Sequence, residues 1–291
     1  MSDEEELQVQ GVSVKVTNLK KAFYLRTGFT KGDVIDYYIR VSLFLLPHLR
    51  NRPITLKRYP DGVDGLFFYE KQCPSHHPKW VKTTKVSKSK GEAIDYCVTN
   101  NLPTLVWAAN MADLELHAFL HTARAIERPT AVAFDLDPGA PADILHCCQV
   151  GLRLHRLFDD LGLQCFPKTS GSKGLQVYVP LNTAVTYEKT KAFARAVAER
   201  LAQESPQHVV SHMQKSLRQG KVLVDWSQND EHKTTVNVYS LRAKEHPSVS
   251  TPVTWDEVET TVRKKTGKLL HFEARDVVKR LERRAICSRR S

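Results

Sequence analysis

Asp135 and Asp137 close a short apolar run, Ala131-Val-Ala-Phe-Asp-Leu-Asp-Pro138. In a strand, residues i and i+2 share a face, so these carboxylates stand side by side, about 6–7 Å apart along the chain. Two such groups repel each other if dry. A divalent cation removes the conflict, and a pair of cations makes a phosphoryl-transfer centre. A second strand-end acid occurs in Val222-Leu-Val-Asp225-Trp226, and neighbouring strands would bring Asp225 to the pair. Alone, Asp225 reads more readily as a turn acid or a helix cap.

Ser170-Gly-Ser-Lys-Gly174 has the composition of a phosphate cradle. Its glycines let backbone N–H groups approach an anion, Ser170 and Ser172 add hydroxyls, and Lys173 adds charge. The spacing is not that of a Walker A loop, and an ordinary Gly/Ser turn is the plain alternative. Lys15, Asn18, Lys20, Lys21, Arg26 and Lys31 precede or open a helix whose start, Thr30-Lys31-Gly32, offers N–H groups to a phosphate. Phe67 and Phe68 sit among Lys57, Arg58 and Lys71. Strand alternation predicts a split pair, one ring in the core and one stacking on a base. Lys85 and Lys88 fall in an expected exposed basic loop, Thr83–Gly91. His117 is expected on a helix, as a structural histidine or an active-site one. Arg218 and Arg242 suit either a triphosphate or a solvated surface.

The elements that must position these groups interleave without a regular βαβ rhythm, which predicts a mixed α/β (α+β) fold. Thr30 to Leu45 has an N-cap, an early acid and helical periodicity. Strands are expected at Ile54 to Tyr59, Leu66 to Tyr69 and Leu105 to Ala108, with a short helix from Ala112 to Leu120. Helices follow at Pro141 to Leu161, Tyr187 to Gln203 and Val253 to Lys265. Extended segments are expected at Gln164 to Lys168 and Leu175 to Val179. Lys221 to Trp226 and Thr234 to Tyr239 read as a strand pair joined by a polar turn. The expected division is an acidic tail (1–10), one domain (11–270) and a basic helix or linker (271–291).

Composition fits that frame. The chain has 291 residues, 41% of them hydrophobic, with no apolar stretch long enough to span a bilayer. Its start lacks the basic and apolar regions of a signal peptide, so a cytoplasmic location is expected. Six cysteines form no Cys-x-x-Cys pair, which predicts buried, reduced thiols over zinc or disulfide frameworks. Of the net charge of +11, residues 11–90 carry 16 Lys/Arg against 5 Asp/Glu. A basic N-terminal third points to a polyanionic partner, and surplus surface lysine is the alternative.

Several stretches in order resemble the polymerase domain of bacterial ligase D, within the archaeo-eukaryotic primase superfamily. They are Val16-Thr-Asn-Leu19, Thr30-Lys31, Lys57-Arg-Tyr-Pro-Asp-Gly-Val-Asp64, Phe67-Phe68, Phe134-Asp-Leu-Asp-Pro-Gly139, Thr169-Ser-Gly-Ser-Lys-Gly-Leu175, Lys215-Ser-Leu-Arg218, Val224-Asp-Trp-Ser-Gln-Asn229 and Tyr239-Ser-Leu-Arg242. The resemblance runs from about residue 14 to about residue 265. It implies a primase-polymerase fold, a central mixed or antiparallel sheet flanked by helices. It also implies nucleotidyl transfer in non-homologous end joining, filling gaps and extending ends at double-strand breaks in the bacterial nucleoid, with Mn²⁺ or Mg²⁺ as a two-ion cofactor and ribonucleotides favoured over dNTPs.

By the same resemblance, Asp135, Asp137 and Asp225 would be the catalytic metal ligands. Ser170, Ser172, Lys173, Gln176, His117, Arg242 and Gln228 would bind the nucleotide. Asn18, Lys21 and Lys31 would hold a DNA 5′-phosphate, and Lys57, Phe67, Phe68, Lys85, Lys88 and Arg218 would contact DNA. The implied partners are gapped, overhanging or broken DNA, Ku, a DNA ligase domain or protein, and a second copy across a break. One departure is plain: the family reads Ser-Gly-Ser-Lys-Gly-Leu-His where this chain has Gln176. A catalytically weak end-binding and bridging module is therefore the alternative. A phosphatase is a third reading, but no Thr follows two residues after Asp137.

Overall fold

The structure is a computed structural model that describes residues 3–87 and 92–288. The chain divides into two units, one of residues 1–119, 236–249 and 272–291, the other of residues 120–235 and 250–271. Both are mixed α/β, as the interleaved pattern predicts.

The first unit is built on a sheet in which Asp113–Phe119, Pro53–Arg58, Ala93–Val98 and Lys82–Ser87 lie side by side in that order. Phe68–Glu70 also pairs with Pro53–Arg58. The helix Lys31–Leu49 opens on a capping box, in which Thr30 accepts from Asp33 N and the Asp33 side chain accepts from Thr30 N. Its Val34, Ile35, Tyr38, Val41, Leu45 and Leu49 recur at helical spacing and are buried. The helix Ala274–Ser288 adds Ala274, Val277, Val278 and Leu281 to the same core. Glu4–Val9, drawn from the acidic start, pairs antiparallel with Val12–Thr17.

The second unit has a five-stranded sheet ordered Phe166–Thr169, Leu175–Pro180, Ala131–Pro138, Val222–Asp225, Val209–Val210. All its pairings are antiparallel except the last, which is parallel. Alternation along Ala131–Pro138 gives one face to Val132, Phe134 and Leu136, all buried. The helix Ile144–Asp160 covers that face, with Phe134 and Phe158 rings 5.4 Å apart. Asp135 and Asp137 therefore point the other way.

Four expectations fail for identifiable reasons. Leu105 to Ala108 is helical, inside Leu102–Asn110, because Asn101 caps the segment by accepting from Thr104 N. Asp113–Phe119 is a strand, because Leu114, Leu116 and Ala118 alternate with Glu115 and His117. The segments near 222 and 234 are no hairpin. They lie in different sheets, and between them Asn229 bonds both Ala133 N (2.9 Å) and Ala133 O (2.7 Å) in place of a returning strand. Of the expected basic loop, Lys82–Ser87 is a strand paired with Ala93–Val98, and Lys88 lies outside the described residues.

The thiol expectation also needs correction. Cys73 and Cys97 are joined by a disulfide, whereas Cys147, Cys148 and Cys165 are buried free thiols. Among the described residues no helix is long and apolar enough to cross a membrane.

Candidate active site

Strand register assembles the carboxylates. Asp135 lies directly opposite Asp225 on one neighbouring strand and opposite Gln176 on the other. Gln176 in turn faces Lys168. Directly opposed residues share a sheet face, so Lys168, Gln176, Asp135 and Asp225 form one row across four strands. Asp137, two residues on from Asp135, joins that face at the strand's exit.

The row is electrostatically crowded. Burial, then the charges of Asp137 and Asp225, push the Asp135 carboxyl up to about 7, against hydrogen bonding from Gln176 and the charge of Lys168. Its Oδ1 is buried with no hydrogen-bond partner among the described residues. Asp225 accepts from Ser227 N (2.8 Å) and from Gln228 Nε2 (3.2 Å), so it is also a turn acid. Tyr178 Oη lies 3.2 Å from Gln176 Oε1 and fixes the amide's orientation. Lys168, 3% exposed, donates to Ser250 Oγ at 2.6 Å.

Among the described residues no three His, Cys, Asp or Glu side chains enclose an ion by themselves. The buried, unbonded Oδ1 and the mutually repelling all-oxygen set nevertheless fit a hard divalent cation, Mg²⁺ or Mn²⁺.

The Ser170–Gly174 loop is set against this face by its glycine. A Cβ on Gly174 would stand 2.2 Å from the Leu136 carbonyl oxygen and 3.6 Å from Asp137 Oδ1. Ser170 is buried, and its Oγ accepts from Ser172 N (3.2 Å) and Gly174 N (3.1 Å). It shapes the loop and occupies two N–H groups expected for phosphate, while Ser172 and Lys173 are exposed. Arg218 packs its backbone where a Cβ on Gly139 would lie 1.9 Å from its carbonyl oxygen, and its guanidinium donates to Met213 O.

His117 and Arg242 belong to the first unit, where both meet Glu115. This glutamate is 1% exposed. His117 Nε2 lies 3.0 Å and Arg242 Nε 3.2 Å from its Oε2. Lys57 Nζ (3.1 Å), Tyr59 Oη (3.3 Å) and Ala243 N (3.1 Å) donate to Oε1. Burial pushes the carboxyl up, but the His117 hydrogen bond and the charges of Arg242, His117 and Lys57 hold it well below the usual carboxylate range. Burial lowers the His117 imidazole despite its bond to Glu115.

Lys57 faces Tyr69 and Glu115 across neighbouring strands, and its Nζ lies 4.7 Å from the Phe67 ring centre. Phe67 and Phe68 are 51% and 44% exposed, so the expected split between core and surface does not occur. Phe67, just before the short strand Phe68–Glu70, stacks on Tyr59 (5.3 Å), and Phe68 stacks on Arg58 (5.2 Å). Lys85 is exposed on its strand.

Asn18, Lys21 and Lys31 are linked through their backbones in the first unit. Lys21 N bonds Asn18 O, and Lys31 N bonds Lys21 O. Lys21 Nζ reaches Asp61 at 2.7 Å, and Lys31 Nζ reaches Thr17 Oγ1 at 3.1 Å. Lys31 is 5% exposed, and burial with the charges of Lys21 and Arg58 lowers its amine to about 8. The helix start offers no anion cradle, however. Lys31 N, Gly32 N and Asp33 N already bond Lys21 O, Leu19 O and Thr30 Oγ1.

Comparison with known proteins follows the same lines. Residues 30–287 match the family described as LigD, primase-polymerase domain. The chain belongs to the LigD primase-polymerase family. It is thus a nucleotidyltransferase by family, and the primase-polymerase fold expected from the sequence is the one observed. The polymerase domain of Mycobacterium tuberculosis ligase D, solved in complex with DNA, superposes with a TM-score of 0.86 at 38% identity, covering 93% of this chain and 94% of that one. The multifunctional non-homologous end joining protein LigD of Mycolicibacterium smegmatis is 39% identical over 92% of this chain and 35% of its own length. The bifunctional LigD of Bacillus subtilis is 34% identical over 86% and 40%. The chain therefore spans between a third and two-fifths of these LigD proteins.

Two residues escaped the sequence reading, Glu115 and Lys168. Lys168 is the one charge in its strand and Glu115 shares its strand with Asp113, and only cross-strand register reveals what each faces.

Proposed function

We propose that this chain is a metal-dependent DNA-end polymerase that extends primers and fills gaps at double-strand breaks during bacterial non-homologous end joining. The carrying observation is the row of Asp135 and Asp225, with Asp137 beside it, on one sheet face. Asp135, Asp137 and Asp225 would hold the ions. Bound there, they would lower the pKa of the primer 3′-hydroxyl and neutralise triphosphate charge. Ser172 and Lys173, held by Ser170, would face the triphosphate with Gln176 and Gln228, and Lys173 would offset charge on the departing pyrophosphate. His117 and Arg242, in the first unit, are nucleotide ligands by the family resemblance.

The buried Lys31, beside Lys21 and Asn18, supports a DNA 5′-phosphate pocket. The exposed Phe67 and Phe68, with Lys57, Lys85, Lys88 and Arg218, would contact DNA. The preference for ribonucleotides comes from the family resemblance. So do Ku, a DNA ligase and a second copy as partners, and the bacterial cytoplasm as the setting.

The test is extension of a recessed primer with Mn²⁺ and NTPs, then with dNTPs. Incorporation is expected from the native protein and not from an Asp135→Ala, Asp137→Ala double variant. Undiminished incorporation by that variant rejects the site. Tight, 5′-phosphate-dependent binding with negligible native incorporation would instead indicate an end-bridging module, with Gln176 the change responsible.

A further inference from the structure

We propose that Glu115 is a positioning residue that sets His117, Arg242 and Lys57 in one fixed geometry to receive the nucleoside triphosphate and its DNA. This rests on the nucleotidyl-transfer reading above. One buried carboxylate gathers five partners, four by hydrogen bond and Arg242 as an ion pair, divided by oxygen. Oε2 meets His117 and Arg242, and Oε1 meets Lys57, Tyr59 and the backbone of Ala243. The partners come from separate parts of the chain: Lys57 from the facing strand, His117 two residues along the same strand, and Arg242 with Ala243 from the returning segment 236–249.

Lysine and arginine side chains are among the most rotamer-rich, so anchoring them beforehand removes ordering entropy from the binding step. One anion also leaves its cationic partners in excess, which favours an incoming polyanion. A carboxylate present only to neutralise buried cations would affect stability alone. A positioning carboxylate must also affect how tightly the triphosphate is held.

Glu115→Gln puts an NH₂ against donors on one side of the group. Glu115→Asp keeps the charge but withdraws it by one methylene. With gapped DNA and Mn²⁺, Glu115→Gln is expected to raise the KM for NTP by about tenfold or more, the equivalent of one charge-assisted hydrogen bond. Its kcat should change less, and Glu115→Asp should fall between it and the native protein. Preference for 5′-phosphorylated gaps should persist, because Lys21 and Lys31 do not touch Glu115. A folded Glu115→Gln protein, by circular dichroism, with native KM overturns the proposal. Should that variant not fold, native KM in Glu115→Asp overturns it equally. Absence of incorporation by the native protein would instead count against the polymerase reading, and titration with a fluorescent NTP would then still report whether Glu115 sets nucleotide affinity.

Discussion

Lys31 is a buried amine whose neighbours are cations, and that makes its chemistry sensitive to pH near neutrality. Burial and the charges of Lys21 and Arg58 lower it to about 8. Between about pH 8 and the ordinary lysine value, about 10.4, the unfolded chain holds a proton there that the folded chain lacks. The contribution of this group to stability therefore rises with pH through that window. Its attraction for an anion runs the other way, present below about 8 and lost above it. Preference for a 5′-phosphorylated over an unphosphorylated gap is expected to shrink between about pH 7 and about pH 9. Lys31→Met should show a small, pH-independent preference, as read by fluorescence anisotropy of the two DNAs. A native preference that holds steady across this range would count against Lys31 as the phosphate group.

The helix that begins at Lys31 owes its exact starting point to Thr30. Thr30→Ala removes both the side-chain acceptor for Asp33 N and the hydroxyl that Asp33 itself holds at 2.8 Å. A loss of about 1 kcal/mol is expected on thermal or denaturant unfolding. This helix was legible because cap, acid and 3.6-residue period agree. The Ala131–Pro138 strand was legible too, since its apolar run ends at two acids.

The exchanged assignments at 102–119 show what local pattern cannot supply. Leu102–Asn110 is apolar nearly all round because it is buried on most sides, so it has no amphipathic period to read. Asp113–Phe119 does alternate, but over one short stretch, and its polar positions Glu115 and His117 mark no solvent face, since Glu115 is buried and His117 half-buried. The site divides in the same way. Asp135 and Asp137 stand out in the sequence by type and spacing, and Asp225 only by its similar place at the end of an apolar run. Glu115 and Lys168 acquire meaning only from the strands opposite, and Ser170 from a loop that folds onto its own hydroxyl.

At the scale of the molecule, neither unit is a continuous stretch of chain. The first draws on three segments, and its core includes Phe23, Tyr24 and Tyr38 near one end of the sequence and Val277, Val278 and Leu281 near the other. Ending the chain after His271 would therefore delete part of a core. Such a protein is expected to lose the cooperative unfolding transition of the first unit and to expose its apolar surface, measurable by calorimetry and by binding of a hydrophobic dye.

The helix Ala274–Ser288 also sets a timetable for birth on the ribosome. Synthesis runs from the N-terminus, and the side chains of this helix that seal the first unit emerge only after the whole of the second unit. Until then Phe23, Tyr24 and their neighbours must wait without their final partners, in a nascent chain that chaperones can recognise. The second unit, needing nothing beyond His271, is free to close first. All the chain needed for the surface that carries the aspartates is thus synthesised before the last segment of the unit that carries Glu115.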